Sequence, residues 1–196
     1  MLLIDRDGWV IDDKIKVVRR PHLRHGKMSS IHGIIVHQTG AATAQSTLDS
    51  YLHRGAAGAH FLIDKDGTIY QTGSVFWRQW HVGKLRARCL AEHRCTPVEI
   101  KMLSTAGVSK INKYEAKKSV PQRYPSNKDA IGIELVSAVV GNGKDPLFEA
   151  ATDAQNKALG WLIEQLRQKF SLPLTEVFRH PQVSYKDSHE AETARW

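Results

Sequence analysis

Ile31-His-Gly-Ile-Ile-Val-His37 is a β-branched apolar run closed by an imidazole, and the Thr39-Gly40 that follows supplies an exit turn. It reads as a buried strand. Three further runs set a metal-binding or proton-carrying residue into an apolar strand: Ala59-His-Phe-Leu-Ile-Asp64, Ile131-Gly-Ile-Glu-Leu-Val136 and Val177-Phe-Arg-His180. An imidazole or carboxylate in such a place has lost water and needs a partner, and a metal ion is one that several of them can share. The chain therefore reads first as a hydrolase with a metal site.

Working outward, Thr43 to Arg54 carries Leu48, Tyr51 and Leu52 at helical spacing, with Gly55 as a stop. Phe61-Leu-Ile-Asp-Lys-Asp-Gly-Thr-Ile-Tyr70 places an Asp66-Gly67 turn between two apolar runs, the pattern of a β-hairpin. Ile131 to Val136 predicts a central strand. Thr152-Asp-Ala-Gln155 predicts a capping box, and Ala154, Ala158, Leu159, Leu162, Ile163, Leu166 and Phe170 continue as a long helix ended by Pro173. From Lys84 to Lys128 periodicity is lost; eleven Lys or Arg residues, together with Pro121 and Pro125, predict a basic surface insertion with one short helix near Pro97 to Leu103. Together these elements predict one α/β domain spanning 1–196, interrupted by an insertion at about 84–128.

A chain of 196 residues with 41% hydrophobic content is long enough for one well-cored domain and short for two. No stretch approaches the ~18 apolar residues of a membrane span, and the acidic Met1 to Asp13 segment lacks the apolar core of a signal peptide. A soluble, non-inserting protein is expected. The net charge of +8 favours a polyanionic partner. The insertion has no groove-reading or base-stacking pattern, so nucleic acid is not the expected one. Two cysteines, Cys89 and Cys95, exclude a disulfide framework and leave either two thiols or one short-loop disulfide outside the cytoplasm.

His37 and His180 stand at the ends of their strands, placed to project into a cleft. After His180, one loop carries Lys186, Asp187, His189 and Glu190. A catalytic zinc site takes three protein ligands and keeps one position open. His37 and His180 are the first two candidates, His189 is the expected third and Asp187 the alternative. Glu134, between Ile133 and Leu135, is a poor core residue unless paired or functional. Desolvation would raise its pKa and suit it to a general base, while an ion pair with Arg179 is the structural alternative.

The segments Ile35-Val-His-Gln-Thr39, Ala59 to Gln71, Trp80-His-Val-Gly83, Ile131 to Leu135 and the His180 to His189 loop occur in the order seen in one family. In this the chain resembles the zinc-dependent N-acetylmuramoyl-L-alanine amidases, which include T7-type phage lysozyme, the anhydro-muropeptide amidases and the peptidoglycan recognition proteins. The resemblance implies a central mixed β-sheet flanked by helices. It implies zinc on His37 and His180, Glu134 as catalytic carboxylate, Lys186 beside the oxyanion, Trp80 and His81 against substrate, and His60 as a structural residue. The expected reaction is hydrolysis of the amide between N-acetylmuramic acid and L-alanine in peptidoglycan or muropeptides. Where other members place a catalytic tyrosine before the hairpin histidine, this chain has Ala59; where they have Lys-x-Asp-Pro-Gly or Lys-x-Cys, it has Lys186-Asp-Ser-His-Glu-Ala191. That ending and the insertion resemble amidases associated with type VI secretion. They imply a monomeric antibacterial effector made in the cytoplasm, delivered to periplasmic peptidoglycan and restrained by an immunity protein. The alternatives are a phage endolysin, a cytoplasmic recycling amidase, or a module that binds muropeptide without cutting it.

Overall fold

The structure, a computed structural model, describes residues 2–141 and 146–196. In chain order the strands are β1 (Leu3–Ile4), β2 (Val10–Ile11), β3 (Ile15–Val17), β4 (Gly33–Gly40), β5 (Phe61–Ile63), β6 (Ile69–Gln71), β7 (Ala130–Val140), β8 (Leu147–Phe148) and β9 (Val177–Arg179). The helices are α1 (Ala44–Ser50), α2 (Arg88–Ala91), α3 (Pro97–Ser104), α4 (Val108–Glu115), α5 (Asp153–Phe170) and α6 (His180–Val183). β1 and β2 form a small hairpin, and the main sheet runs β3-β6-β5-β7-β4-β9, with β8 paired to the end of β7. β4 lies parallel to both β7 and β9, whereas β5 and β6 are the antiparallel hairpin predicted around Asp66-Gly67. The sheet is therefore mixed.

Strand periodicity sorts the two faces. Ile34, Val36, Phe61, Ile63, Ile131, Ile133 and Leu135 point to one side and pack against Leu159, Leu162, Ile163 and Leu166 of α5, all buried. Each such side chain contributes about 1.5–3 kcal/mol by leaving water. The capping box at the start of α5 is present: Gln155 N–H donates to Thr152 Oγ1 at 3.0 Å, and Thr152 N–H donates to Gln155 Oε1 at 3.1 Å. α5 ends at Phe170, three residues before Pro173, because Ser171 turns left-handed at φ 53°. Residues of opposite parity, among them Ile35, His37, Leu62, Gly132, Glu134 and Val136, face the other side. Ile35 lies in a small cluster with Val82, Tyr124 and Phe178, and Leu62 and Val136 lie under α1.

The insertion departs from expectation. In place of one short helix it has three, α2 to α4, around a small core of Ala87, Cys89, Leu103 and Ile111, with Cys89 and Cys95 joined as a disulfide. Its apolar positions show no period because they sit on short helices whose partner lies inside the insertion itself. The N-terminal strands and β8 were also missed: each has only two or three residues, too few to show a period.

Candidate metal centre and proton carrier

Register brings the site together. His37 of β4 lies directly across from Glu134 of β7, which in turn faces Leu62 of β5. On the other flank Val36 pairs with Arg179, the last residue of β9, so His180 follows immediately beside His37. Three chemical groups thus stand in one row on the face opposite α5. The row opens into a cleft of about 720 Å³ lined also by Trp80, His81, Asn127, Lys186, Asp187 and Glu190.

His37, His180 and Glu190, all buried, offer ligand atoms within 4.8 Å of one another. His37 Nδ1 lies 3.2 Å from Glu190 Oε1, and His180 Nδ1 lies 2.9 Å from both carboxylate oxygens. The remaining ring nitrogens are fixed from outside. His180 Nε2 stands 2.9 Å from the Val82 carbonyl, which only accepts, so Nε2–H donates there. His81 Nε2–H likewise donates to the Ala130 carbonyl at 3.3 Å, which leaves its Nδ1 to accept from His37 Nε2–H at 2.9 Å. These partners turn the Nδ1 lone pairs of His37 and His180 toward the Glu190 carboxylate. Lone pairs on three groups then face one point, an arrangement that a shared cation relieves. Two imidazoles and a carboxylate are a donor set that zinc accepts, and the outer hydrogen bonds are those that orient liganding histidines.

Burial dominates the electrostatics. It pushes His37 down to about 4, with the neighbouring His180 adding to the fall. His81 is driven well below its ordinary value by burial and by His37. Glu190 is also buried, but the imidazoles of His180 and His37 beside it outweigh that and hold it at about 2, so it stays a carboxylate. Glu134 goes the other way: burial pushes it up to about 7, opposed by the hydroxyl of Tyr51, which donates to its Oε2. Two carboxylates in one cleft are thereby pushed in opposite directions, one to stay charged and one to carry a proton near neutral pH.

The geometry brings together His37, His180, Glu134, Lys186, Asp187, Trp80 and His81 around one cleft, but it does not place His189 in the converging group. The His189 side chain is 37% exposed and its Nδ1 lies 2.9 Å from Glu192 Oε2. The third converging group is its neighbour Glu190, turned inward because Ala191 and Ala194 are buried in the main core and Ala191 N–H donates to Gln38 Oε1 at 2.8 Å. Those small apolar residues were the available signal for which side of the loop faces in. Asp187 stays on the cleft wall, outside the converging group. The alternative partner of Glu134 is otherwise engaged: the Arg179 guanidinium donates to the carbonyls of Ala191 at 2.9 Å and Ala194 at 2.8 Å. Trp80 is half exposed and stacks on His25 at 3.5 Å between ring centroids. His81 is 9% exposed and spends both nitrogens on protein, so it supports His37 from behind. It fits there because residue 132 is glycine; a Cβ on Gly132 would come within 2.8 Å of His81 Nδ1. His60 is structural, accepting from Gly132 N–H at 3.0 Å and donating to the Trp77 carbonyl at 3.0 Å.

Tyr51 escaped the sequence reading, where it served only as a helix-face residue. It caps the C-terminus of α1, and its ring lies so close over Gly58 that a Cβ there would sit 2.4 Å from Tyr51 Cε1. Its phenol is thereby carried to Glu134, and burial and that carboxylate raise its pKa well above 10.0.

The family model for N-acetylmuramoyl-L-alanine amidase matches residues 27–193. No match was found among curated proteins. Among solved structures, AmpD, crystallised as a selenomethionine derivative, superposes with a TM-score of 0.56 at 20% identity, covering 94% of this chain and 89% of its own. The catalytic domain of XlyA gives 0.52 at 21% identity, covering 88% and 87%. AmpDh3 of Pseudomonas aeruginosa, solved in complex with anhydromuramic pentapeptide, gives 0.53 at 19% identity, covering 93% of this chain and 58% of its own. At these identities the structures establish the shared fold.

Proposed function

Since this chain belongs to the N-acetylmuramoyl-L-alanine amidases, we propose that it is a zinc hydrolase that cuts the amide between the lactyl group of N-acetylmuramic acid and L-alanine. The observation that carries the reading is the convergence of His37, His180 and Glu190 one strand away from a buried, proton-carrying Glu134. His37, His180 and the Glu190 carboxylate would hold the zinc. The chemistry supplied by zinc when bound is Lewis-acid polarisation of the scissile carbonyl and acidification of water. Glu134, its Oε2 held by the Tyr51 hydroxyl, takes a proton from the attacking water and returns it to the leaving amine nitrogen. Lys186 offsets charge on the developing oxyanion, and Trp80 offers an exposed ring to substrate. A muropeptide like that bound by AmpDh3 is the soluble form of such a substrate. A module that only holds muropeptide would lack one of these ligands or the proton carrier, and all are present.

The disulfide Cys89–Cys95 supports a place of action in an oxidising compartment such as the periplasm over cytoplasmic recycling. Delivery as an antibacterial effector with an immunity partner is the biological setting that fits such an enzyme. Digestion of purified Gram-negative sacculi, with products read by mass spectrometry, tests the reaction. Free stem peptides beginning at L-alanine are expected, lost with chelator; a His37→Ala protein that kept both zinc and full activity would overturn the site.

A further inference from the structure

A second cavity, of about 490 Å³, lies between the β1–β2 hairpin and the segment before Trp80. Its lining includes Arg6, Arg19, Arg24 and Lys27, with Asp7 as the one acid among the described lining residues. The Arg19 guanidinium lies over Trp9 at 5.1 Å and the Arg24 guanidinium over Trp77 at 5.3 Å, so ring faces hold both at the cavity wall. The wall is built. Ser74 Oγ–H donates to the Asp7 carbonyl at 2.7 Å, Val75 N–H to the Gly8 carbonyl at 3.1 Å and Arg78 N–H to the Gly26 carbonyl at 2.8 Å. Gly8, at φ 86°, allows this approach, since a Cβ there would lie 2.3 Å from Ser74 Oγ.

The same segment continues into the catalytic cleft. Phe76 and Trp77 line the basic cavity, and Trp80 and His81 line the cleft. The span from Trp77 to Trp80 is at most about 11 Å of extended chain, a length comparable to one disaccharide. We infer that the basic cavity is a second substrate site, which holds a carboxylate-bearing stretch of the glycan polymer while the neighbouring repeat lies in the cleft. The inference rests on the amidase reading for the identity of the polymer. Guanidinium groups pair with carboxylates in a bidentate fashion, and the exposed Phe76 ring adds an apolar face beside them, so this lining selects an anionic, peptide-bearing glycan. A soluble muropeptide with a single repeat reaches the cleft alone, so the site assigns the enzyme to polymeric wall.

The test compares the wild-type protein with Arg19→Gln/Arg24→Gln and with Arg6→Gln/Lys27→Gln, the second pair sparing both tryptophan stacks. Co-sedimentation with purified sacculi in chelator reads binding apart from cleavage, and hydrolysis of sacculi and of a soluble muropeptide is then measured with zinc. Each double variant is expected to bind sacculi about tenfold more weakly, with the gap closing at high salt, and to lose more activity on sacculi than on the muropeptide. Unchanged sedimentation in both variants, or equal loss on the two substrates, would overturn the second site. Arginine-dependent binding of duplex DNA tighter than binding of sacculi would reassign the cavity. Failure of the wild type to cut either substrate would remove the amidase reading, leaving sedimentation to decide whether the cavity holds wall polymer.

Discussion

The catalytic row and the helical insertion both bury charge, and they resolve it in opposite ways. In the insertion the buried Arg88 and Arg123 and the half-buried Lys118 each meet an anion of the protein. Arg88 donates from Nη1 to Glu176 Oε2 at 2.9 Å, from Nη2 to Glu176 Oε1 at 2.8 Å and from Nε to Glu92 at 2.6 Å; Arg123 grips Asp129 at 2.6 Å and Lys118 bridges Glu115 and Glu99. In the row, three donor groups are turned toward one point and a fourth, Glu134, is pushed up to about 7. The first arrangement is complete within the chain and fixes where the insertion sits. The second leaves three donor groups converging on a point that could hold a cation, and this separates the two clusters although each contains buried charged groups.

The largest effect that would break this contrast is on turnover. Glu134→Gln keeps the shape and the Tyr51 contact but removes the proton carrier, so kcat should fall about a thousandfold with zinc binding intact. Unfolding of the metal-free variant at pH 8 should need no less denaturant than wild type, since a neutral amide replaces a carboxylate that burial disfavours. Turnover within tenfold of wild type would return Glu134 to the structural class.

Next comes the insertion. Arg88→Ala leaves Glu176, 8% exposed at its side chain, without its bidentate partner, which should cost about 3–5 kcal/mol in denaturant unfolding. Zinc affinity measured on the fraction still folded should be that of the wild type. A variant that lost zinc binding but not stability would show that the two regions are coupled and the contrast false.

A third effect separates the row from its structural neighbour His60, which burial holds at about 4. Its folded pKa lies below the unfolded 6.5, so its contribution is fully present above pH 6.5 and is lost as the pH falls toward 4. Protonation also breaks the bond accepted from Gly132 N–H. The loss amounts to about 3 kcal/mol across that window. Denaturant unfolding of wild type and His60→Gln at pH 7 and pH 4.5 measures it, and parallel pH profiles would remove His60 from the acid response.

Much of this arrangement could be read from residue order because period and parity are local. The apolar run ending at His37, the Asp66-Gly67 hairpin and the Thr152–Gln155 capping box each declare themselves within a few residues, and parity puts Gly132 and Glu134 on one face. The third converging group was not legible in the same way. His189 and Glu190 are adjacent, and which one turns inward depends on Ala191, Ala194 and the Gln38 amide, contacts far apart in sequence. Tyr51 was hidden for the same reason, since a helix-face aromatic reveals its phenol's destination only when Gly58 lets the ring pass. Of the insertion's helices only α3 (Pro97–Ser104), which carries a Thr96–Glu99 capping box, is legible in residue order; α2 and α4 are too short to show a period.

The smallest effect is the sharpest probe, because it asks whether support for the metal reaches beyond the converging three. His81 reaches the converging group through His37, and its tautomer is set by the Ala130 carbonyl. His81→Ala should therefore weaken zinc binding 10- to 100-fold, the range for a lost partner of a liganding histidine, while leaving the ligands themselves in place. His81→Asn, whose side-chain carbonyl can accept from His37 Nε2–H, should recover part of it, and His189→Ala should bind zinc as the wild type does. Competition with a chromophoric chelator reads all three without reference to turnover. If His81→Ala bound zinc normally and His189→Ala did not, the ligand set would move to the outer side of the loop, and the inward turn of Glu190 would be packing alone.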